Sequence, residues 1–130
     1  MRFLLDTNAV IASLKGDPVL AARLRKHDPR DFGLPAIVAH ELYFGAFRSA
    51  RQAENLARVD GLRFEIIDFT SADARSAGFV RAELAARGKP IGPYDTLIAA
   101  QALARDLILI THNTREFAEV RRLKIEDWEI

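Results

Sequence analysis

The sequence predicts an α/β domain with a central, mainly parallel β-sheet flanked by α-helices. Two patterns carry that prediction. Short apolar runs that read as strands, above all Leu107 to Thr111, alternate along the chain with longer segments of helical spacing. The breaks between them carry turn chemistry, as in Lys15-Gly16-Asp17-Pro18, His27-Asp28-Pro29-Arg30 and Lys89-Pro90-Ile91-Gly92. With 130 residues and no repeat or linker, the chain reads as one domain spanning 1–130.

Arg2 to Leu5 is an apolar run ending at Asp6 and reads as a buried first strand. Asp6-Thr7-Asn8 offers side-chain oxygens at a helix start, continued by Ala9 to Leu14. In Val19 to Lys26, Leu20 and Leu24 lie at helical spacing. Phe32 to Pro35 is a weak second strand. Ile37 to Arg48 is apolar on most faces, which predicts a largely buried helix. Ala50 to Val59 is a more polar helix that Gly61 stops. Phe64 to Phe69 alternates as a third strand. Thr70 or Ser71 caps a helix from Ala72 to Arg87, ended by Gly88. Pro93 and Tyr94 open a helix that is apolar nearly all round, hence buried, and that ends near Arg105. A short helix, Arg115 to Val120, and an edge strand, Lys124 to Trp128, complete the chain.

Composition narrows the chemistry. The chain has no cysteine, which excludes disulfides, thiolate metal sites and thiol nucleophiles. Its net charge of +1 is too small for a protein that coats nucleic acid through charge alone. Any RNA binding must use a local basic patch or recognise shape. Met1 to Asp6 is too short and too soon interrupted by charge for a signal peptide, and no apolar run approaches membrane-spanning length. The expectation is a cytoplasmic protein with no membrane partner.

Three acids stand where folding does not require them. Open parallel sheets carry their sites beyond the carboxyl ends of the strands. Asp6 follows the first strand and Asn113 follows the strongest one, so both belong to that edge. Each reads equally as a cap or turn residue. Glu41 shares a helix face with Ile37, Phe44 and Gly45, and an ionised carboxylate on an apolar face costs several kcal/mol unless paired or metal-bound. Its other reading is a buried pair with an arginine. Asp95 sits in the first turn of its helix, where the dipole alone favours an acid. Should Asp6, Glu41 and Asp95 converge within about 5 Å, each pair repels by roughly 3 kcal/mol at an effective dielectric of about 20. A proton must then be held or a cation bound. An all-oxygen site suits Mg²⁺ or Mn²⁺ rather than zinc. Asp6 and Asp95 would be direct ligands, with Glu41 holding a water that the metal activates to attack phosphorus. The serines lack a nucleophile-elbow pattern, and no glycine-rich phosphate loop is present. His112 lies beside the site and reads as structural.

Four motifs in order carry a resemblance: Leu4-Leu5-Asp6-Thr7-Asn8, His40-Glu41-Leu42-Tyr43-Phe44-Gly45-Ala46, Gly92-Pro93-Tyr94-Asp95 with Ile98-Ala99-Ala100, and Thr111-His112-Asn113-Thr114-Arg115-Glu116-Phe117. Ile125-Glu126-Asp127-Trp128 extends it to the C-terminus. The chain resembles the PIN-domain ribonucleases, and among them the VapC toxins of type II toxin–antitoxin pairs. The resemblance implies a PIN fold and Mg²⁺- or Mn²⁺-dependent cleavage of RNA phosphodiester bonds, transfer RNA being a frequent target. It also implies a cognate VapB-type antitoxin and a homodimer. Asp6, Glu41 and Asp95 fall on the family's main acidic positions, and Asn113 on a fourth that is aspartate in many members. Glu116, nearby, could supply the charge that Asn113 lacks, but the expectation is that it faces outward or pairs with an arginine.

Such a site stays negative with one Mg²⁺ bound, so cations must offset the RNA. Arg87, Lys89 and Arg115 are the candidates, with Thr7 and Asn8 as further substrate contacts. Phe44, Phe47, Leu20 and Leu24 divide between core and a surface for an amphipathic antitoxin helix, with at least half expected in the core. Two competing readings remain. One is a catalytically silent PIN-like module that binds RNA or protein. The other is a phosphatase with Asp6 as nucleophile, against which Asn8 stands where a second aspartate is usual.

Overall fold

The computed structural model describes residues 1–130. Five strands form one sheet in the order β3-β2-β1-β4-β5, and every neighbouring pair is parallel. They are β1 (Phe3–Leu5), β2 (Phe32–Pro35), β3 (Glu65–Ile67), β4 (Ile108–Ile110) and β5 (Ile125–Glu126). Seven helices connect and cover them: α1 (Thr7–Leu14), α2 (Pro18–Leu24), α3 (Ala36–Arg48), α4 (Gln52–Asp60), α5 (Ser71–Ala86), α6 (Pro93–Ala104) and α7 (Thr114–Phe117). No helix is long and apolar enough to cross a membrane.

The sheet grows outward from β1 in both directions. Phe3 lies in register with Phe32 on one side and Ile108 on the other. The strand order therefore reverses between β1 and β4, and the crevice beyond their carboxyl ends is the place where such sheets bind ligands. Both strands are core. Leu4 and Leu109 are fully buried, which is why they read as continuous apolar runs rather than alternating ones.

Side-chain caps mark the helix starts. Thr70 and Asp73 form a reciprocal capping box at the start of α5. Asp73, nearly inaccessible, also accepts from Gln101 Nε2 and Arg105 Nη2 of α6 and its C-cap, both at 3.2 Å. Gly88, at φ +66°, ends the α5 connection in the left-handed region that a side chain would strain. α6 starts at Pro93 and buries Ile98, Ala99, Ala100 and Ala102 completely.

Two expectations are corrected. α3 is not apolar-buried on most faces: Phe44 and Phe47 are 58% and 60% exposed, and only Val38, Ala39, Leu42 and Ala46 enter the core. The face that carries Glu41 thus opens to solvent. β3 is shorter than the run Phe64 to Phe69 and lies at the sheet edge, with Ile66 half exposed and Ile67 inward. At the opposite end of the chain Trp128 is buried, stacked on His27 at 5.2 Å and edge-on to Phe3 at 4.9 Å. Leu20 is core and Leu24 packs against it.

Candidate active site

Four acids gather at the reversal of strand order. Asp6 leaves β1 and is 3% exposed. Its Oδ1 accepts the Ala9 N–H at 2.8 Å, so it caps α1 from inside the crevice. Burial pushes its carboxyl up from the usual range, with the charge of Glu41 adding to the push. Hydrogen bonds from Thr111 and from the Ala9 N–H pull it back only in part.

Glu41 reaches the crevice from α3. Thr7 Oγ1, in the first turn of α1, donates to Glu41 Oε1 at 2.7 Å. No arginine is paired with Glu41 in the structure.

Asp95 sits in the first turn of α6. Burial, then the hydrogen bond and charge of Glu116, then the charges of Asp6 and Glu41 push its carboxyl up to about 7. Glu116 is the correction to the sequence reading. It does not face outward, and it pairs with no arginine. From α7 its Oε1 accepts the Gly92 N–H at 2.8 Å and its Oε2 accepts Asn113 Nδ2 at 3.0 Å. These two donors hold Glu116 below the usual carboxylate range. The shared proton of the pair therefore rests on Asp95. Gly92 separates the two acids closely: a Cβ there would lie 3.4 Å from Asp95 Oδ2 and 3.5 Å from Glu116 Oε1. Spacing held a signal for Glu116 beforehand. It stands three residues after Asn113, hence on the same face of a one-turn helix.

Asn113 spends its side-chain N–H on Glu116, and its backbone N–H donates to Thr111 Oγ1 at 3.0 Å. Asn8 is exposed and lines a different hollow with Lys15, Asp17 and Glu129. Arg87 and Lys89 both lie against Glu119, at 3.6 and 3.5 Å. Arg115 is exposed and shares a cavity with Lys89, Asn113 and Glu116.

On the other flank of Asp6, His112 Nδ1 lies 2.9 Å from Asp127 Oδ2. One ligand atom each from His112, Asp127 and Glu129 falls within 4.8 Å of the other two. No other three His, Asp or Glu side chains are so close, so the four-acid group is more open than a closed cage. The all-oxygen donor set is the kind a hard divalent cation takes. A carboxyl held protonated near neutrality marks negative charge lacking a counter-charge.

The model of the family described as "PIN domain" matches residues 3–123. The tRNA(fMet)-specific endonuclease VapC of Shigella flexneri is 38% identical over 130 residues, which cover 98% of each chain. The chain belongs to the PIN-domain family, in its VapC branch. Solved structures agree with this VapC placement. DNA-bound VapBC from Salmonella typhimurium superposes with a TM-score of 0.94 at 39% identity, covering 98% of each chain. VapBC-1 from nontypeable Haemophilus influenzae superposes at 0.91 with 30% identity over the full length of both. The parallel sheet and its acidic edge are thus a PIN fold, as the motifs predicted.

Proposed function

We propose that this VapC-type chain is the toxin of a toxin–antitoxin pair and an endoribonuclease that uses Mg²⁺ or Mn²⁺. The observation that carries the reading is the convergence of Asp6, Glu41, Asp95 and Glu116 from β1, α3, α6 and α7 on one crevice, with Asp95 raised to about 7 by burial and then by the other three. Asp6, Asp95 and Glu41 would hold the cation, and Glu116 adds the negative charge that Asn113 lacks. Bound there, the cation supplies Lewis acidity toward the phosphate and lowers the pKa of water.

The chain's own residues do the rest. Thr7 fixes the Glu41 carboxylate so that it can accept a proton from water at one oxygen while the other is held. Asn113 and the Gly92 N–H keep Glu116 ionised and aimed at Asp95. Arg87, Lys89 and Arg115 offset the charge of the RNA backbone. Thr7, hydrogen-bonded to Glu41, is a further contact, and Asn8, in the neighbouring hollow, would meet RNA only beyond the acid group. The substrate class is structured RNA such as transfer RNA, the class named for the Shigella relative.

The partner is a VapB-type antitoxin, as in the VapBC complexes, and the toxin pairs as a homodimer. A hollow of ≈ 340 Å³ is lined by Ile11, Leu14, Glu41, Leu42, Ala46 and Arg58, and Phe44 and Phe47 are exposed elsewhere on α3. An apolar antitoxin segment seated in that hollow would reach the site's rim.

The test is cleavage of total cellular RNA by antitoxin-free protein with Mg²⁺ or Mn²⁺, with EDTA, and with Asp95→Asn. Discrete fragments that require both the metal and Asp95 are expected. Cleavage that survives EDTA or the substitution would sink the assignment.

A further inference from the structure

A cavity next to the acid group carries chemistry that the group does not use. It encloses ≈ 300 Å³, between Asn113 and Glu116 on one side and Lys89, Arg115 and Glu119 on the other. The first wall belongs to the site already described. The second wall is one carboxylate shared by two cations. Glu119 Oε2 lies 3.6 Å from Arg87 Nη1 and 3.5 Å from Lys89 Nζ, both beyond good hydrogen-bond distance. Arg87 also donates to the Glu119 carbonyl oxygen, and its Nε is buried without a partner. Arg115 makes no ion pair.

Lys89 and Arg115 thus line, with the loosely held Glu119, a hollow that opens onto the catalytic acids, and Arg87 holds Glu119 from outside that lining. A phosphate diester carries the same unit charge as Glu119 and can accept from a guanidinium and an ammonium in better geometry. An RNA strand lying across the acid group brings a second phosphate close to the first, because its backbone phosphates repeat at every nucleotide.

We propose that this cavity is a subsite in which Lys89 and Arg115 hold the RNA phosphate flanking the cleaved one, and that Glu119 occupies Lys89 until RNA displaces it. The proposal rests on the ribonuclease reading. Glu119 then sets how tightly RNA must bind before the strand seats, which makes it a residue of affinity and register rather than of chemistry.

The experiment is equilibrium binding of fluorescently labelled bulk transfer RNA in the Asp95→Asn background with Mn²⁺ present, as a function of salt. The added substitutions are Glu119→Gln, Lys89→Ala and Arg51→Ala. Arg51 is 80% exposed, remote in sequence and paired only with Glu54, and serves as control. Glu119→Gln removes the competing charge and is expected to tighten binding about two- to fivefold, the range for an exposed ion pair. Lys89→Ala is expected to weaken binding and to flatten the salt slope by about 0.7, one phosphate on a single strand. Arg51→Ala is expected to change neither.

Equal or weaker binding by Glu119→Gln, with a lowered melting temperature, would make Glu119 a brace between the α5 connection and α7 and overturn the proposal. An unchanged slope in Lys89→Ala would overturn it as well. Both failures are separable from failure of the parent reading, because wild-type cleavage of the same RNA is scored in parallel. Cleavage with unresponsive variants removes the subsite alone. Neither cleavage nor binding removes both.

Discussion

Thr7 Oγ1 donates to Glu41 Oε1 at 2.7 Å, joining the first turn of α1 to α3 across 34 positions of sequence. The bond gives a job to a residue that would otherwise be only part of a helix start. Glu41 lies on an open helix face, where a long carboxylate has several rotamers. The hydroxyl selects the one that points into the crevice. Thr7→Val keeps the β-branched shape and loses the donor. Turnover is expected to fall about 10- to 100-fold, the usual cost of removing a group that orients a metal-site ligand. Thr7→Ser should recover most of it. Steady-state cleavage of a defined RNA, with melting temperatures alongside, makes the comparison.

The raised carboxyl of Asp95 predicts how the metal-free protein responds to pH. Its folded value is about 7, against 3.8 for the unperturbed group. The folded state therefore holds a proton that the unfolded state has released. Asp95's contribution is fully present below pH 4 and is lost as pH rises toward and through 7. Asp6 and Glu129 are raised too and act in the same direction. His112, also raised, loses its contribution at higher pH, as the imidazole deprotonates. Glu116 is lowered, so its contribution is lost only as pH falls below the ordinary carboxylate range. In EDTA the melting temperature should drop between pH 5 and 7.5. Asp95→Asn should remove part of that drop, and saturating Mg²⁺ or Mn²⁺ should remove more. A flat wild-type profile in EDTA would contradict the electrostatics.

Glu116 offers a direct check on the same pair. Its hydrogen bond and charge are the largest causes after burial that raise Asp95. In Glu116→Gln the Asp95 carboxyl should titrate well below 7, which carbon-detected NMR of the side-chain carboxyl resolves. Cation affinity should fall about 10- to 100-fold. Asn113→Asp acts in the opposite sense. It replaces the Nδ2 donor 3.0 Å from Glu116 Oε2 with an acid, so Asp95 or Glu116 must take up more proton until a cation binds.

The fold was legible because its strongest signals are local. Leu107 to Ile110 and Phe3 to Leu5 are apolar throughout since both strands are covered on each face, and that is a pattern the chain displays without its partners. Asp6, Glu41 and Asp95 were legible as acids out of place. Glu116 was only half legible: its spacing from Asn113 places it near the site, but an acid on a short polar helix looks solvated until the Gly92 N–H and Asn113 hold it inward. The exposure of Phe44 and Phe47 was hidden for the opposite reason. Apolar residues all round a helix read as core, and only the packed arrangement of α3 shows that no element of this chain covers that face.

Away from the crevice, Asp73 is the acid on which stability should depend most. It caps α5, accepts from Gln101 and Arg105, and is 1% exposed. Its carboxyl is lowered despite burial, since the Thr70 and Arg105 hydrogen bonds outweigh desolvation. Its contribution is thus present above the unfolded value near 3.8 and fades as pH falls through the lower folded one. Asp73→Ala removes half of the capping box and the Arg105 ion pair, while Gln101 Nε2 and Arg105 Nη2 keep the Asp68 carbonyl oxygen, for an expected loss of about 1–2 kcal/mol. Urea unfolding measures it, and RNA cleavage at a temperature below the new transition should be unaffected.

The uncovered face of α3 supplies the last prediction. Phe44 and Phe47 are apolar surface on α3 that this chain leaves to solvent. Phe44 also carries the Arg48 guanidinium over its ring at 5.1 Å, so the patch has a charged border. An antitoxin helix seated there would bury both rings, and aromatic anchors of that kind carry a large share of binding energy. Phe44→Ala with Phe47→Ala should weaken capture of the cognate antitoxin by about 2 kcal/mol or more. Neither ring is in the core, so the melting temperature of the toxin alone should hold. Titration calorimetry against the antitoxin gives the first quantity, and sedimentation of the toxin alone gives a second. Loss of a homodimer with undiminished antitoxin binding would assign the rings to the subunit contact instead. Unchanged behaviour in both would leave the patch with no role in either assembly.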